Sequence, residues 1–230
     1  MRRLVGERVD GERMPTTDSP KEARARASAR DDVQEVVREE ASAGVRAEAL
    51  RDVQADTLVH ALSSEPRRPE AFRELLRHGP AAIPAIRRGL RHPHPRVREQ
   101  CCNLLDHLLV PEVLDDLIAM LDDPNAQVRV AVLHALSCDR CKTDACRPDS
   151  ALVLPRGIHL LHHDPDAHVR AMAAELVARW VHTHPEAAAA LTHTHETDPS
   201  PTVRKKAGWY APGGPIHRRT APRPRRRARR

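Results

Sequence analysis

One seven-residue phrase recurs four times and constrains the fold more than any other feature of the chain. It reads His92-Pro93-His94-Pro95-Arg96-Val97-Arg98, then Asp123-Pro124-Asn125-Ala126-Gln127-Val128-Arg129. It returns as Asp164-Pro165-Asp166-Ala167-His168-Val169-Arg170 and as Asp198-Pro199-Ser200-Pro201-Thr202-Val203-Arg204. Proline stands four residues before valine each time, and arginine comes directly after the valine. Self-similarity at such a period marks a stack of supersecondary units, each covering an apolar face its neighbour cannot bury alone.

The residues after each phrase read as helix. Apolar side chains fall at i, i+4, i+7 and i+8: Val97, Cys101, Leu104, Leu105; Val128, Val132, Ala135, Leu136; Val169, Ala173, Leu176, Val177. That spacing places them on one stripe of an amphipathic helix. Asn125, Asp166 and Ser200 are set to cap the first turns, and Pro95 and Pro201 fit the first helical position, where a missing N–H costs nothing. Intervening segments carry Val113, Leu114, Leu117, Ile118 and Leu121, then Leu154, Ile158, Leu160 and Leu161, as second helices. Aromatic residues make up 2% of the 230, too few for a barrel or sandwich core. The expected fold is all-α, a solenoid of about four to five helical hairpins.

Organisation comes from the same pattern. Residues 1–30 lack apolar periodicity and are expected to be disordered. Residues 31–68 carry weaker helical patterns. Residues 69–210 form the repeat body, with Phe72, Leu75 and Leu76 on one helix stopped at Gly79-Pro80, and Ile83, Ile86 and Leu90 on the next. Gly208 is expected to end the last helix, with Trp209 and Tyr210 covering the open end of the stack. Residues 211–230 are expected to be a disordered, arginine-rich tail.

An Asp-Pro turn, three variable residues and Val-Arg, set in helix pairs of this length, resembles the HEAT repeat, in particular the bacterial phycobilisome-lyase HEAT-like type. In that family the Asp and Arg of neighbouring repeats interact as a ladder. The resemblance implies acids at Asp123, Asp164 and Asp198 and arginines at Arg98, Arg129, Arg170 and Arg204; His92 replaces the acid at the first position. Iron hydroxylases of this fold carry repeated His-Glu pairs, whereas His195-Glu196 is the one such pair here. DNA glycosylases of related fold set an acid beside tryptophan, and neither Trp180 nor Trp209 has an acid one turn away. With no phosphate loop, nucleophile elbow or carboxylate dyad, the chain reads as a non-enzyme without a small-molecule substrate.

The period breaks once. The repeat prolines lie 31, 41 and 34 residues apart, and the excess falls at the turn 137–148. That turn holds Cys138, Cys141 and Cys146, and C-x2-C is a common spacing for two zinc ligands. One reading is a zinc loop with Cys138, Cys141 and Cys146 as thiolates and His134, one turn earlier, as a further ligand. His107, which aligns with Cys138 one repeat before, and His182 and His184, at the same edge one repeat later, are other fourth ligands. The other reading is a reduced, solvated cysteine-rich turn. Cys101 aligns with Val132 and reads as core.

Charge is uneven. The net charge is +6, yet Arg218–Arg230 holds eight of the 38 basic residues and no acid, leaving 30 basic against 32 acidic elsewhere. The expected function is a non-catalytic scaffold or adaptor that holds a protein partner in its helical groove. The alternative is a nucleic-acid binder whose phosphate contacts come from Arg218, Arg219, Arg223, Arg225, Arg226, Arg227, Arg229 and Arg230. No stretch has the length and apolarity of a membrane span, and the N-terminus lacks a secretory apolar core, so a cytoplasmic location is expected.

Overall fold

The computed structural model describes residues 50–138 and 148–222; the weak helical pattern expected from residue 31 lies outside them, as does the turn 139–147. The chain divides into two units between residues 50 and 51, and the second unit holds the repeat body. Its helices are α1 (51–61), α2 (Arg68–His78), α3 (Ile83–Gly89), α4 (Pro95–His107), α5 (Leu114–Ala119), α6 (Ala126–Ser137), α7 (Ser150–His163), α8 (Ala167–Ala178), α9 (Pro185–Thr197), α10 (Pro201–Tyr210) and α11 (Pro215–Thr220). Short 3-10 turns at Gly79–Ala82, Pro111–Val113 and Met120–Asp122 flank α3 and α5. No strand occurs among the described residues.

The four phrase helices stack in sequence: α4 packs on α6, α6 on α8 and α8 on α10. All twelve stripe residues from Val97 to Val177 are fully buried, because each stripe faces the next helix of the stack. A second layer is formed by α7 and α9, which pack on one another and on α8 and α10. The core runs beyond residues 69–210: Ala55, Val59 and Leu62 are buried at one end and Ala211 at the other.

The hairpins are paired differently from the sequence expectation. α7 packs along α8 and α9 along α10, whereas α6 barely touches α7. The Asp-Pro phrase is therefore the tight turn inside a hairpin, and the cysteine turn joins one hairpin to the next. Helical periodicity is the same for both turns, so it does not distinguish them.

Arginine and aspartate form three rungs between successive hairpins. Arg98 Nε and Nη2 donate to Asp123 Oδ2 and Oδ1 at 2.7 and 2.9 Å. Arg129 does the same to Asp164 at 2.7 and 2.9 Å, and Arg170 to Asp198 at 2.8 and 3.1 Å. Each aspartate also turns Oδ1 onto the amide two residues ahead, of Asn125, Asp166 or Ser200. His92, where the first acid is missing, instead lies 3.3 Å from His60 through Nε2 and Nδ1.

Four local expectations are corrected. Asn125 and Asp166 accept bonds from the first turn of their helices, as does His94 through Nδ1, but the Ser200 side chain makes no such bond. Gly208 does not end α10, which runs through it to Tyr210; a methyl there would lie 2.5 Å from His195 Nδ1, so the glycine serves a close approach to α9. Gly79, by contrast, closes α2 with φ of 58°, as its position suggests. Residues 211–222 turn through Gly213 and fold into α11, which packs on α10, with the His217 and His182 rings 4.4 Å apart. Arg223 and the residues after it lie outside the described region. Tyr210 is half-buried against the core, whereas Trp209 stays exposed beneath Lys205 Nζ, 5.7 Å from the ring centroid.

Candidate metal centre and the clefts beside it

Four carboxylates are buried among the described residues: Asp106, Asp123, Asp164 and Asp198. The last three carry the ladder and are fully engaged. Asp106, at the end of α4, differs from them. Its side chain is 4% exposed, and Oδ1 is fully buried without a hydrogen-bond partner. Leaving a buried polar group unsatisfied costs about 1–3 kcal/mol, and more when the group is charged. In the repeat register that superposes Arg98, Arg129 and Arg170, the positions matching Asp106 hold Ser137 and Ala178. The buried charge is therefore a feature of one hairpin and no part of the repeat scaffold.

Two side chains from the last turn of α6 face Asp106. His134 and Cys138 stand four residues apart, so one helical turn brings both to the same side. Cys138 is the C-cap of α6, held by its amide to the His134 carbonyl at 2.9 Å. His134 Nε2 lies 3.7 Å from Asp106 Oδ2, and one ligand atom each from Asp106, His134 and Cys138 lie within 4.8 Å of one another. This carboxylate, imidazole and thiol form the one such group with metal-holding geometry among the described residues. Nitrogen, oxygen and sulfur donors together suit zinc.

Of the ligands expected from the sequence, His134 and Cys138 come together; Cys141 and Cys146 lie outside the described residues. The alternative fourth ligands are engaged elsewhere. His107 sets its ring edge-on to Phe72 at 6.4 Å, His182 Nε2 faces Thr220 Oγ1 at 3.0 Å, and His184 Nε2 faces Ser150 Oγ at 3.1 Å. Asp106 is absent from the sequence expectation because an acid at the end of a helix reads as a solvated residue; only the packing of α4 against its neighbours buries it. Cys101 and Cys102 are both fully buried, and burial pushes the Cys101 thiol up to about 12 and Cys102 in the same direction.

His134 borders two clefts. One, of about 560 Å³, is lined by His134, Cys138, Glu175, Trp180, Tyr210 and His217, among others, and so spans α6, α8, α10 and α11. The other, of about 550 Å³, is lined by His134 together with Phe72, Arg73, Gln100, Asn103 and Asp106.

Residues 55–137 match the family described as HEAT repeats. In structure the chain is similar to the complex of CpcE and CpcF of phycocyanin lyase from Nostoc sp. PCC7120. The TM-score is 0.54 at 20% identity, over 69% of this chain and 99% of that one. The chain is a HEAT-repeat-like helical solenoid. No curated protein matches it in sequence. Within the solenoid the Arg-Asp ladder runs along one edge of the phrase helices, at their N-terminal ends. The candidate metal centre lies at the opposite, C-terminal ends of α4 and α6. No helix among the described residues is long and apolar enough to cross a membrane.

Proposed function

We propose that this solenoid is a non-catalytic scaffold that holds a protein partner in its groove. The observation that carries the reading is the 560 Å³ cleft, which crosses four helices and mixes the aromatic faces of Trp180 and Tyr210 with Glu175, His182 and His217. A surface of this kind, built from successive helices of the solenoid, suits a polypeptide segment better than a compact ligand. The similar fold occurs in CpcE and CpcF as a complex of two chains, which supports a protein partner. A metal ion at the cysteine turn is structural in this reading.

The nucleic-acid alternative rests on the tail. Cations of the body near it are already engaged: Arg204 Nη1 donates to the Asp198 and Pro199 carbonyls, Lys206 pairs with Glu175, and Arg218 donates to the Gly213 carbonyl. Phosphate binding then falls to Lys205, exposed above the Trp209 ring, to Arg219 and to the arginines from Arg223 onward.

A photo-reactive side chain at His182, in the cleft, and another at Thr192, on α9, separate the two readings in cells. A scaffold yields a discrete protein adduct from position 182 that position 192 does not give. A labelled DNA duplex is then offered at two salt concentrations to the full chain and to one ending at Pro222. Tight, salt-steep DNA binding lost with the tail, without a cleft adduct, overturns the scaffold reading.

A further inference from the structure

We infer that Asp106, His134 and Cys138 bind one zinc ion that joins two successive hairpins and leaves its fourth position open to solvent in the clefts. The site differs in composition and in consequence from a three-thiolate loop: it contains a single thiolate and bridges α4 to α6.

Two independent observations carry this. The first is geometry. Zinc bonds of about 2.0–2.3 Å in a tetrahedron set ligand atoms roughly 3.3–3.8 Å apart. The 3.7 Å between His134 Nε2 and Asp106 Oδ2 falls in that range and is too long for a direct hydrogen bond. All three ligand atoms lie within 4.8 Å of one another, close enough for one ion to reach them all. The second is the buried carboxylate. Asp106 Oδ1 has no partner among the described residues, while every other buried carboxylate there has an arginine and an amide. A divalent cation supplies the missing counter-charge. The His134 side chain is exposed enough to admit the ion, and the two clefts that its ring borders give it a path.

The consequence comes from which elements the ligands belong to. The ladder ties hairpins together at the N-terminal ends of the phrase helices. Zinc at Asp106 ties α4 to α6 at the other end, next to the irregular α5 region. Three ligands among the described residues leave a fourth position for water or for a donor from a bound partner, as in open zinc sites.

Cobalt substitution of the full-length chain tests this. Metal-free protein is titrated with Co(II), and the visible d–d bands and the near-ultraviolet thiolate-to-cobalt band are recorded, then displaced with zinc. The expected result is one equivalent of cobalt with the charge-transfer intensity of a single thiolate. Affinity falls at least tenfold in Asp106→Asn and in His134→Ala, and is unchanged in the double variant Cys141→Ser/Cys146→Ser. Because His134 is exposed, His134→Ala keeps its fold even where Asp106→Asn does not, and the wild-type spectrum alone counts thiolates. Absence of stoichiometric cobalt and zinc overturns the proposal. So does a three-thiolate spectrum abolished by the Cys141 and Cys146 changes and indifferent to Asp106→Asn.

Discussion

Arg129 holds two hairpins at once. Its Nε and Nη2 grip both oxygens of Asp164 ahead of it at 2.7 and 2.9 Å, while Nη1 donates back to the Asp123 carbonyl at 2.8 Å. Both side chains are largely buried, so removing one leaves the other charged in the core. Arg129→Ala is expected to cost about 3–5 kcal/mol. Arg204, at the last repeat, donates to the carbonyls of Asp198 and Pro199 behind it. Arg204→Ala is expected to cost about 1 kcal/mol. Urea denaturation of both variants checks the contrast; equal losses would mean the carboxylate grip adds nothing.

The ladder also sets an acid limit. Burial alone raises the Asp198 carboxyl, but hydrogen bonds from Arg170 and the Ser200 amide, with the charges of Arg170 and Arg204, outweigh it and hold it below the usual carboxylate range. A folded value below the unfolded one gives stability that is full above the unfolded carboxylate value, roughly pH 4, and is lost as pH falls through the folded value. The stability gap between wild type and Asp198→Asn is expected to narrow progressively below about pH 4. Denaturation midpoints from neutral pH down to acid measure it, and a gap constant with pH would refute the linkage.

Gly89 is fixed by crowding at the end of α3. A methyl there would lie 2.5 Å from Cys101 Sγ and 2.7 Å from Val59 Cγ1, both buried. Gly89→Ala is expected to destabilise by about 1–3 kcal/mol through overpacking. Adding Cys101→Ala removes the nearer obstacle, so the double variant should recover part of that loss. Thermal unfolding of the two variants decides it, and an unaltered midpoint in Gly89→Ala would show that α3 has room to shift.

The thiols should divide by burial. Cys101 and Cys102 are inaccessible, and their burial disfavours the thiolate that reacts. In native, metal-free protein at neutral pH, an alkylating reagent is expected to leave both unmodified until the chain is unfolded, while Cys138 labels; zinc bound at Cys138 protects it. Peptide mass mapping after a short pulse reads the sites. Early labelling of Cys101 would mean that α4 opens locally.

Much of the fold is legible in the sequence because the repeat imposes it many times over. The stripe residues stand at i, i+4, i+7 and i+8, and each is buried where that spacing places it. The ladder comes from the resemblance of the Asp-Pro-x3-Val-Arg phrase to a known repeat. Features that occur once are harder to read. Glycine commonly stops a helix, yet the role of Gly208 is set by the His195 ring across the hairpin. The helix at Pro215–Thr220 is hidden in a segment whose composition resembles a tail.

The candidate centre divides in the same way. His134 and Cys138 share a face of α6 by helical spacing alone, a relation countable along the chain. Asp106 lies 28 residues before His134, and nothing local marks it as buried. Stacked amphipathic helices were written into the residue order, since periodicity is a property of near neighbours. The loss of water around Asp106, and its meeting with His134 and Cys138, had to await packing in three dimensions, because burial depends on which helix end lies against which.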